Sequence, residues 1–195
     1  MGSGSPHQPA KRAIDIAVSG AALLVLAIPL LALAGLVRVT SRGPAIHWSK
    51  RVGRNNALFP MPKFRTMRID TPQIPTHLMT EPERWLTPIG GFLRRTSLDE
   101  LPQLISVLKG DMSLVGPRPA LFNQDDLVAL RTRAGVEALR PGLTGWAQVN
   151  GRDELPIPDK VKLDAEYLER MSLGFDLKIL GLTVAGVLGS KGVSH

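Results

Sequence analysis

One stretch restricts this chain more than any other: Ile16 to Val37 is an uncharged apolar run of 22 residues with Pro29 inside it. As a straight helix it would be about 33 Å long, enough for a bilayer core of ~30 Å. Proline inside a helix removes a backbone hydrogen bond and clashes with the carbonyl four residues back. Three arrangements compete. A cleaved signal peptide would use Lys11 and Arg12 ahead of the run and Ala32-Leu33-Ala34 as its small-residue site. Arg38 and Arg42 follow closely, however, and translocating them opposes the usual charge bias. A single spanning helix is the second arrangement, since neighbours in a membrane can re-satisfy the backbone around a proline. The third is a re-entrant helix, in which Pro29 divides the run into halves of about 13 and 8 residues, roughly 20 and 12 Å. Basic residues flank both ends, and only one-sided insertion keeps both clusters inside. The expectation is a re-entrant membrane helix over 16–37 that breaks at Pro29.

The charge points the same way. Lys plus Arg is 24 against 17 for Asp plus Glu, a formal net charge of +7. Eight basic residues and no acid fall between Arg38 and Ile69. Such a stretch suits an anionic partner: a lipid surface, phosphorylated substrates or nucleic acid. The chain has no cysteine, which excludes disulfides, thiolate catalysis and thiolate metal sites. A hard cation on carboxylates stays open.

Residues 1–10, MGSGSPHQPA, have no periodicity and read as a disordered start or an expression remnant. Residues 11–195 read as a single domain. Ile46 to Met67 alternates turn residues with short apolar stretches, as short strands do. Thr71 to Pro88 holds four prolines and reads as an irregular loop. Leu98 to Lys109 has helical spacing, with Gly110 as its stop. Asn123 to Leu139 and Pro158 to Met171 also read as helices. Phe175 to Leu188 is apolar but too short to span. These pieces predict a mostly helical α+β body with little strand content and no parallel sheet.

Asp99 and Glu100 open the Leu98 helix. Acidic residues at a helix start favour the macrodipole, and Ser97 with Glu100 has capping-box spacing. Pro102 weighs against that box. With Ser97 as N-cap it would be the fifth helical residue and hinder the Leu98 carbonyl. With Asp99 as cap it would fall in the tolerated first turn. The chemical reading gives the two carboxylates different jobs. One, close to Mg²⁺, can attack phosphorus, and the other can take a proton from an acceptor.

Four blocks carry a resemblance. They are Lys63-Phe64-Arg65-Thr66-Met67, Thr96 to Leu104 (TSLDELPQL), Gly110 to Pro119 (GDMSLVGPRP) and Arg140 to Arg152 (RPGLTGWAQVNGR). Together and in this order they resemble the bacterial sugar transferases, the monotopic phosphoglycosyl transferases, over about Lys11 to Leu180. The size is similar to that of small members acting on bacillosamine-type sugars. The resemblance implies transfer of a sugar 1-phosphate from a UDP-sugar to polyprenyl (undecaprenyl) phosphate with release of UMP. It implies a ping-pong scheme, with Asp99 as nucleophile and Mg²⁺ site and Glu100 as base. It also implies a proline-broken re-entrant helix, membrane lipids as partners, and a catalytic body on the cytoplasmic face of the bacterial inner membrane. Nucleic acid is not expected as a partner, and the oligomeric state is left open.

Further positions carry over from those blocks. Arg118, stiffened between two prolines, suits a phosphate clamp, against a structural pairing with Asp111. Lys63 and Arg65 are candidates for the diphosphate, against membrane-surface charge. Arg152 is a candidate for the nucleotide sugar. Asp164 is a possible active-site residue, against an i,i+4 pair with Lys160. Ser49 stands where glutamine is common in the family, and Asn56-Ala57 where Gly-Lys is usual, which leaves sugar and nucleotide details open. Trp48 reads as an interface anchor or as an ordinary tryptophan. Two other functions remain. One is a transferase using a single ternary complex without a covalent intermediate. The other is a non-catalytic, membrane-anchored basic module for anionic lipid or nucleic acid.

Overall fold

A computed structural model describes residues 7–71, 81–151 and 155–189. Arg152 and residues 72–80, half of the Thr71–Pro88 loop, lie outside the described residues.

The apolar run forms two helices, α1 (His7–Val25) and α2 (Ala27–Thr40). They meet at 63°. Helix α1 begins at His7, inside the segment expected to be a disordered start. The break falls at Leu26, three residues before Pro29. The reason is steric. The proline ring collides with the carbonyl four residues back, and that residue, Val25, is where α1 ends. Pro29 itself sits in the first turn of α2, where a missing N–H costs little. The arms are therefore longer than expected, at 19 and 14 residues, or about 28 and 21 Å. Leu24, Val25, Ile28 and Leu31, around the bend, are each at least 74 % exposed. Among the described residues no single helix is long and apolar enough to cross a membrane.

The rest of α1 packs against the body. Asp15 and Ser19 are buried in it, and Asp15 Oδ1 accepts the Leu114 backbone N–H at 3.0 Å. Strands β1 (Ile46–Val52) and β2 (Leu58–Phe64) form an antiparallel hairpin that pairs Ile46 with Phe64 and Val52 with Leu58. Its turn contains Asn55 and Asn56 at φ 54° and 59°, a left-handed conformation asparagine tolerates. Trp48 on β1 is exposed. Helix α3 (Gly90–Arg95) leads into a 3₁₀ turn over Leu98–Gln103, then α4 (Leu104–Lys109). The single helix expected over Leu98–Lys109 is thus split. Pro102 is accommodated in the tighter 3₁₀ part, and Gly110 ends α4 at φ 98°.

Contrary to expectation there is a parallel pair. Strand β3 (Ser113–Val115) lies beside β4 (Gly142–Thr144). The chain between them crosses over through α5 (Asp125–Arg133) and a 3₁₀ turn at Val136–Ala138, as parallel pairing requires. Gly135, at φ 73°, separates these two pieces of the helix expected over Asn123–Leu139. Three-residue strands are too short to announce themselves by alternation. Glycine makes the pairing possible: a Cβ on Gly142 would lie 2.1 Å from the Gly116 nitrogen. Helices α6 (Trp146–Val149), α7 (Ile157–Arg170) and α8 (Leu173–Gly189) complete the body.

The largest apolar cluster joins Met61, Val107, Met112, Val115, Tyr167 and Ile179, with Leu23 and Leu26 of the bent pair against it. A second cluster of Val37, Phe64 and Leu93 seats α2 on the hairpin. Each fully buried aliphatic side chain contributes about 1.5–3 kcal/mol, so both arms are tied to the body by packing.

Candidate active site

Asp99 and Glu100 sit on the 3₁₀ turn that follows Ser97, whose φ of 56° is left-handed. Ser97 makes no side-chain cap. The capping box is absent because the Glu100 side chain is used elsewhere. Its Oε1 accepts from Lys63 Nζ at 2.7 Å and from Arg118 Nη2 at 3.0 Å. Lys63 comes from β2, so the hairpin, the 3₁₀ turn and the Pro-Arg-Pro segment converge on one oxygen.

The two neighbours differ electrically. Burial alone would raise the Glu100 pKa, but Arg118 and Lys63 override it and hold the carboxyl well below the usual range. Asp99 is 8 % exposed and makes no hydrogen bond or ion pair among the described residues. Burial pushes its pKa up, the Lys63 charge works against that rise, and the Glu100 charge adds to it. Burial lowers the Lys63 pKa, and Glu100 opposes the drop. Arg94 is close enough to Asp99 for their charges to interact, and its Nε donates to Thr66 Oγ1 at 3.0 Å. Arg51, close enough for its charge to act on Lys63, adds another cation.

Arg118 is held by its backbone. Proline supplies no N–H, so the segment is pinned through carbonyls. Pro117 O accepts Gly142 N–H at 2.9 Å. Arg118 O accepts Arg131 Nη1 at 2.8 Å, and Pro119 O accepts Arg51 Nη1 at 3.1 Å. Arg131 is fixed in turn by Asp164, whose Oδ2 accepts Nε at 2.9 Å and Nη2 at 2.7 Å. Asp164 is 1 % exposed. Burial pushes its pKa up, and the two Arg131 donors work against that push.

The expected site residues therefore divide. Lys63, Asp99, Glu100 and Arg118 come together. Asp164 reaches the site only through Arg131, and its hydrogen-bond partner is Arg131 rather than Lys160. Asp111 pairs with Lys109 at 3.2 Å, not with Arg118. Arg65 is a correction. It is 5 % exposed, and its guanidinium donates to Pro44 O at 2.7 Å and to Ser41 O at 3.0 Å, so it fastens the end of α2 to the hairpin. It follows the last residue of β2, and its backbone N–H still bonds across the hairpin to Ala45 O at 2.8 Å. Arg94 and Arg131 were missed by sequence reasoning. Arg94 stands two residues before the TSLDELPQL block, which is a usable signal. Arg131 sits in an ordinary charged helix and has none.

Among the described residues no three His, Asp or Glu side chains converge as a metal cage. Mg²⁺ does not need one, since it is commonly held by one or two carboxylates plus substrate phosphates and water. The unpaired Asp99 suits that role, and the ion-paired Glu100 does not.

Two adjacent carboxylates, one bare and one clamped, face a surplus of cations beneath a bent apolar helix pair. That combination defines an α+β body with a strongly cationic, carboxylate-bearing site. The chain belongs to the bacterial sugar transferase family, whose profile matches residues 6–190. It is 39 % identical over 198 residues to the galactosyl transferase CpsE of Streptococcus agalactiae, covering 95 % of this chain and 44 % of that protein. It is 39 % identical over 181 residues to the UDP-glucose:undecaprenyl-phosphate glucose-1-phosphate transferase of Escherichia coli, covering 89 % and 39 %. With the uncharacterized sugar transferase EpsL of Bacillus subtilis it shares 39 % identity over 185 residues, covering 95 % and 90 %. The chain thus spans less than half of the first two relatives and most of the third.

Proposed function

We propose that this protein transfers a sugar 1-phosphate from a UDP-sugar to undecaprenyl phosphate, through a covalent intermediate on Asp99. The observation that carries this reading is the asymmetry of the pair: Asp99 is buried and unpartnered, while Glu100 is held by Lys63 and Arg118. Family membership and the activity named for the E. coli relative support the reaction class.

An Asp99 oxygen attacks the sugar-bearing phosphorus, and UMP leaves with the bond electrons. An oxygen of the acceptor phosphate then attacks that phosphorus and returns Asp99 as a carboxylate. Mg²⁺ held at Asp99 would neutralise phosphate charge that otherwise repels the anionic nucleophile. Lys63 and Arg118 bind phosphoryl oxygens as well as Glu100. While they hold Glu100, its carboxylate is a poor base. Substrate phosphate competes for the same two cations, and as it takes them Glu100 regains basicity beside the acceptor. The α1–α2 pair enters one leaflet with its exposed bend deepest, and the site faces the cytoplasm beneath it. This topology rests on the 63° bend, the exposed apolar tip and the basic flanks.

The test is intact mass. With Mg²⁺, a panel of UDP-sugars and no acceptor, the wild type should gain one sugar phosphate and Asp99→Asn should not. UMP release in the presence of acceptor, with no adduct ever trapped, would replace this mechanism with a single ternary complex.

A further inference from the structure

A second basic cluster lies where α1 meets the body, and it shares no residue with the carboxylate site. It surrounds a recess of about 410 Å³, open mouth included, lined by Lys11, Arg12, Arg54, Ser113 and Arg140 among others. Its guanidiniums are oriented by backbone carbonyls, which leave their charge in place. Arg12 donates to the Val107 and Leu108 carbonyls at 2.6 and 2.8 Å. Arg54 Nε donates to Ala138 O at 2.9 Å, and Arg140 Nε to Gly110 O at 3.0 Å. A carbonyl fixes a guanidinium without cancelling its charge. Lys11 is paired with Asp176 at 2.6 Å. Asp15, the acid in the lining, already accepts the Leu114 N–H. Three guanidiniums therefore share one carboxylate. They also repel one another: burial lowers the Arg140 pKa, and the nearby Arg54 and Arg12 charges lower it further.

An independent feature is Ser113. It lines the recess, is 1 % exposed, and its Oγ has no hydrogen-bond partner among the described residues. A buried hydroxyl left unpaired is unfavourable, because it has given up water without a replacement partner. One kind of ligand would relieve both the repulsion and the orphaned hydroxyl: a small oxyanion with several acceptor oxygens.

We propose that this recess binds a phosphate-type oxyanion, held by Arg12, Arg54 and Arg140 with Ser113 Oγ as a neutral donor. The phosphate of an anionic lipid headgroup is the favoured source, because Arg12 lies on the same helix that ends in the exposed apolar bend. That choice of source, unlike the site itself, rests on the membrane topology proposed above. Soluble phosphate offers the same chemistry.

The experiment uses the full chain in neutral detergent. Inorganic phosphate is titrated against chloride at matched ionic strength, with affinity read by calorimetry. Arg118→Gln separates this recess from the carboxylate site. Phosphate binding should persist in Arg118→Gln, weaken at least tenfold in Arg54→Gln, and weaken severalfold in Ser113→Ala. The Arg54 side-chain bond to Ala138 O is exposed, so Arg54→Gln should fold normally and form the Asp99 adduct at the wild-type rate. Unchanged affinity in both Arg54→Gln and Ser113→Ala overturns the proposal, as does complete loss of binding in Arg118→Gln. In a second arm, nanodiscs of phosphatidylcholine are compared with discs that also contain phosphatidylglycerol. Arg54-dependent thermal stabilisation by phosphatidylglycerol identifies a lipid headgroup. A response to inorganic phosphate alone identifies a soluble anion. No Arg54-dependent response to either overturns the site.

Discussion

Asp164 is the residue whose replacement best separates folding from catalysis. Asp164→Asn keeps an acceptor near Arg131 but removes the negative charge. The pair is buried, with side chains 2 % and 9 % exposed. Removing one partner of a buried ion pair costs about 3–5 kcal/mol, because the other charge is stranded. For a chain of this size that corresponds to a melting-temperature drop of about 6–20 °C, at about 2–4 °C per kcal/mol. A second effect follows from the Arg131 bond to the Arg118 carbonyl, at 2.8 Å. If that bond slackens, the Arg118 clamp shifts, and a 1 Å misplacement costs about 10²-fold in rate. The assay pairs thermal melts in detergent with steady-state UMP release. Asp164→Asn should melt lower and show a raised KM for the UDP-sugar. The double variant Asp164→Leu/Arg131→Met strands no charge, so it should recover most of the melting temperature. It still lacks the bond to Arg118, so its KM should stay high. A melting temperature of Asp164→Asn within about 2 °C of wild type would refute the ion-pair estimate. A double variant that recovers both stability and KM would refute the positioning role.

Glu100→Gln should still form the Asp99 adduct but slow its transfer to undecaprenyl phosphate by about 10²–10⁴-fold, as single-turnover mass spectrometry would show. Adduct formation needs ionised Asp99, and burial raises its pKa. The acid limb of that step should therefore lie above the usual ~3.9 of an aspartate. Lys63→Met removes a charge that favours the ionised form and should move the limb to higher pH; a downward move in the pH–rate profile would contradict the electrostatic account. Pro29→Ala restores an N–H able to bond the Val25 carbonyl and relieves a clash of about 3 kcal/mol. Cysteine labelling should then report part of the population with its N-terminus across the membrane, and wholly unchanged labelling would show that packing alone sets the bend.

The residues of the candidate site were legible in the sequence because their motifs are local. Asp99, Glu100, Lys63 and Arg118 all lie in short blocks whose residue types survive as a pattern, and the apolar run with its proline marked the bent helix. Pro158 to Met171, read as a polar helix with a proline near its start, matches α7 to within a residue. Contacts distant in sequence were a different matter. The parallel β3–β4 pair joins two three-residue strands whose pairing depends on close backbone approach at Gly116 and Gly142. No periodicity encodes that. Arg65 lies in a motif block yet fastens α2, because carbonyls of Ser41 and Pro44, more than twenty residues away, take its guanidinium. The bend stands at Leu26 rather than Pro29 because a proline disturbs the carbonyl behind it. Residue type determined which groups were candidates for the site. Only the tertiary structure decided which carboxylate is clamped and which is bare, since that depends on cations from segments 18 and 37 residues away meeting one oxygen.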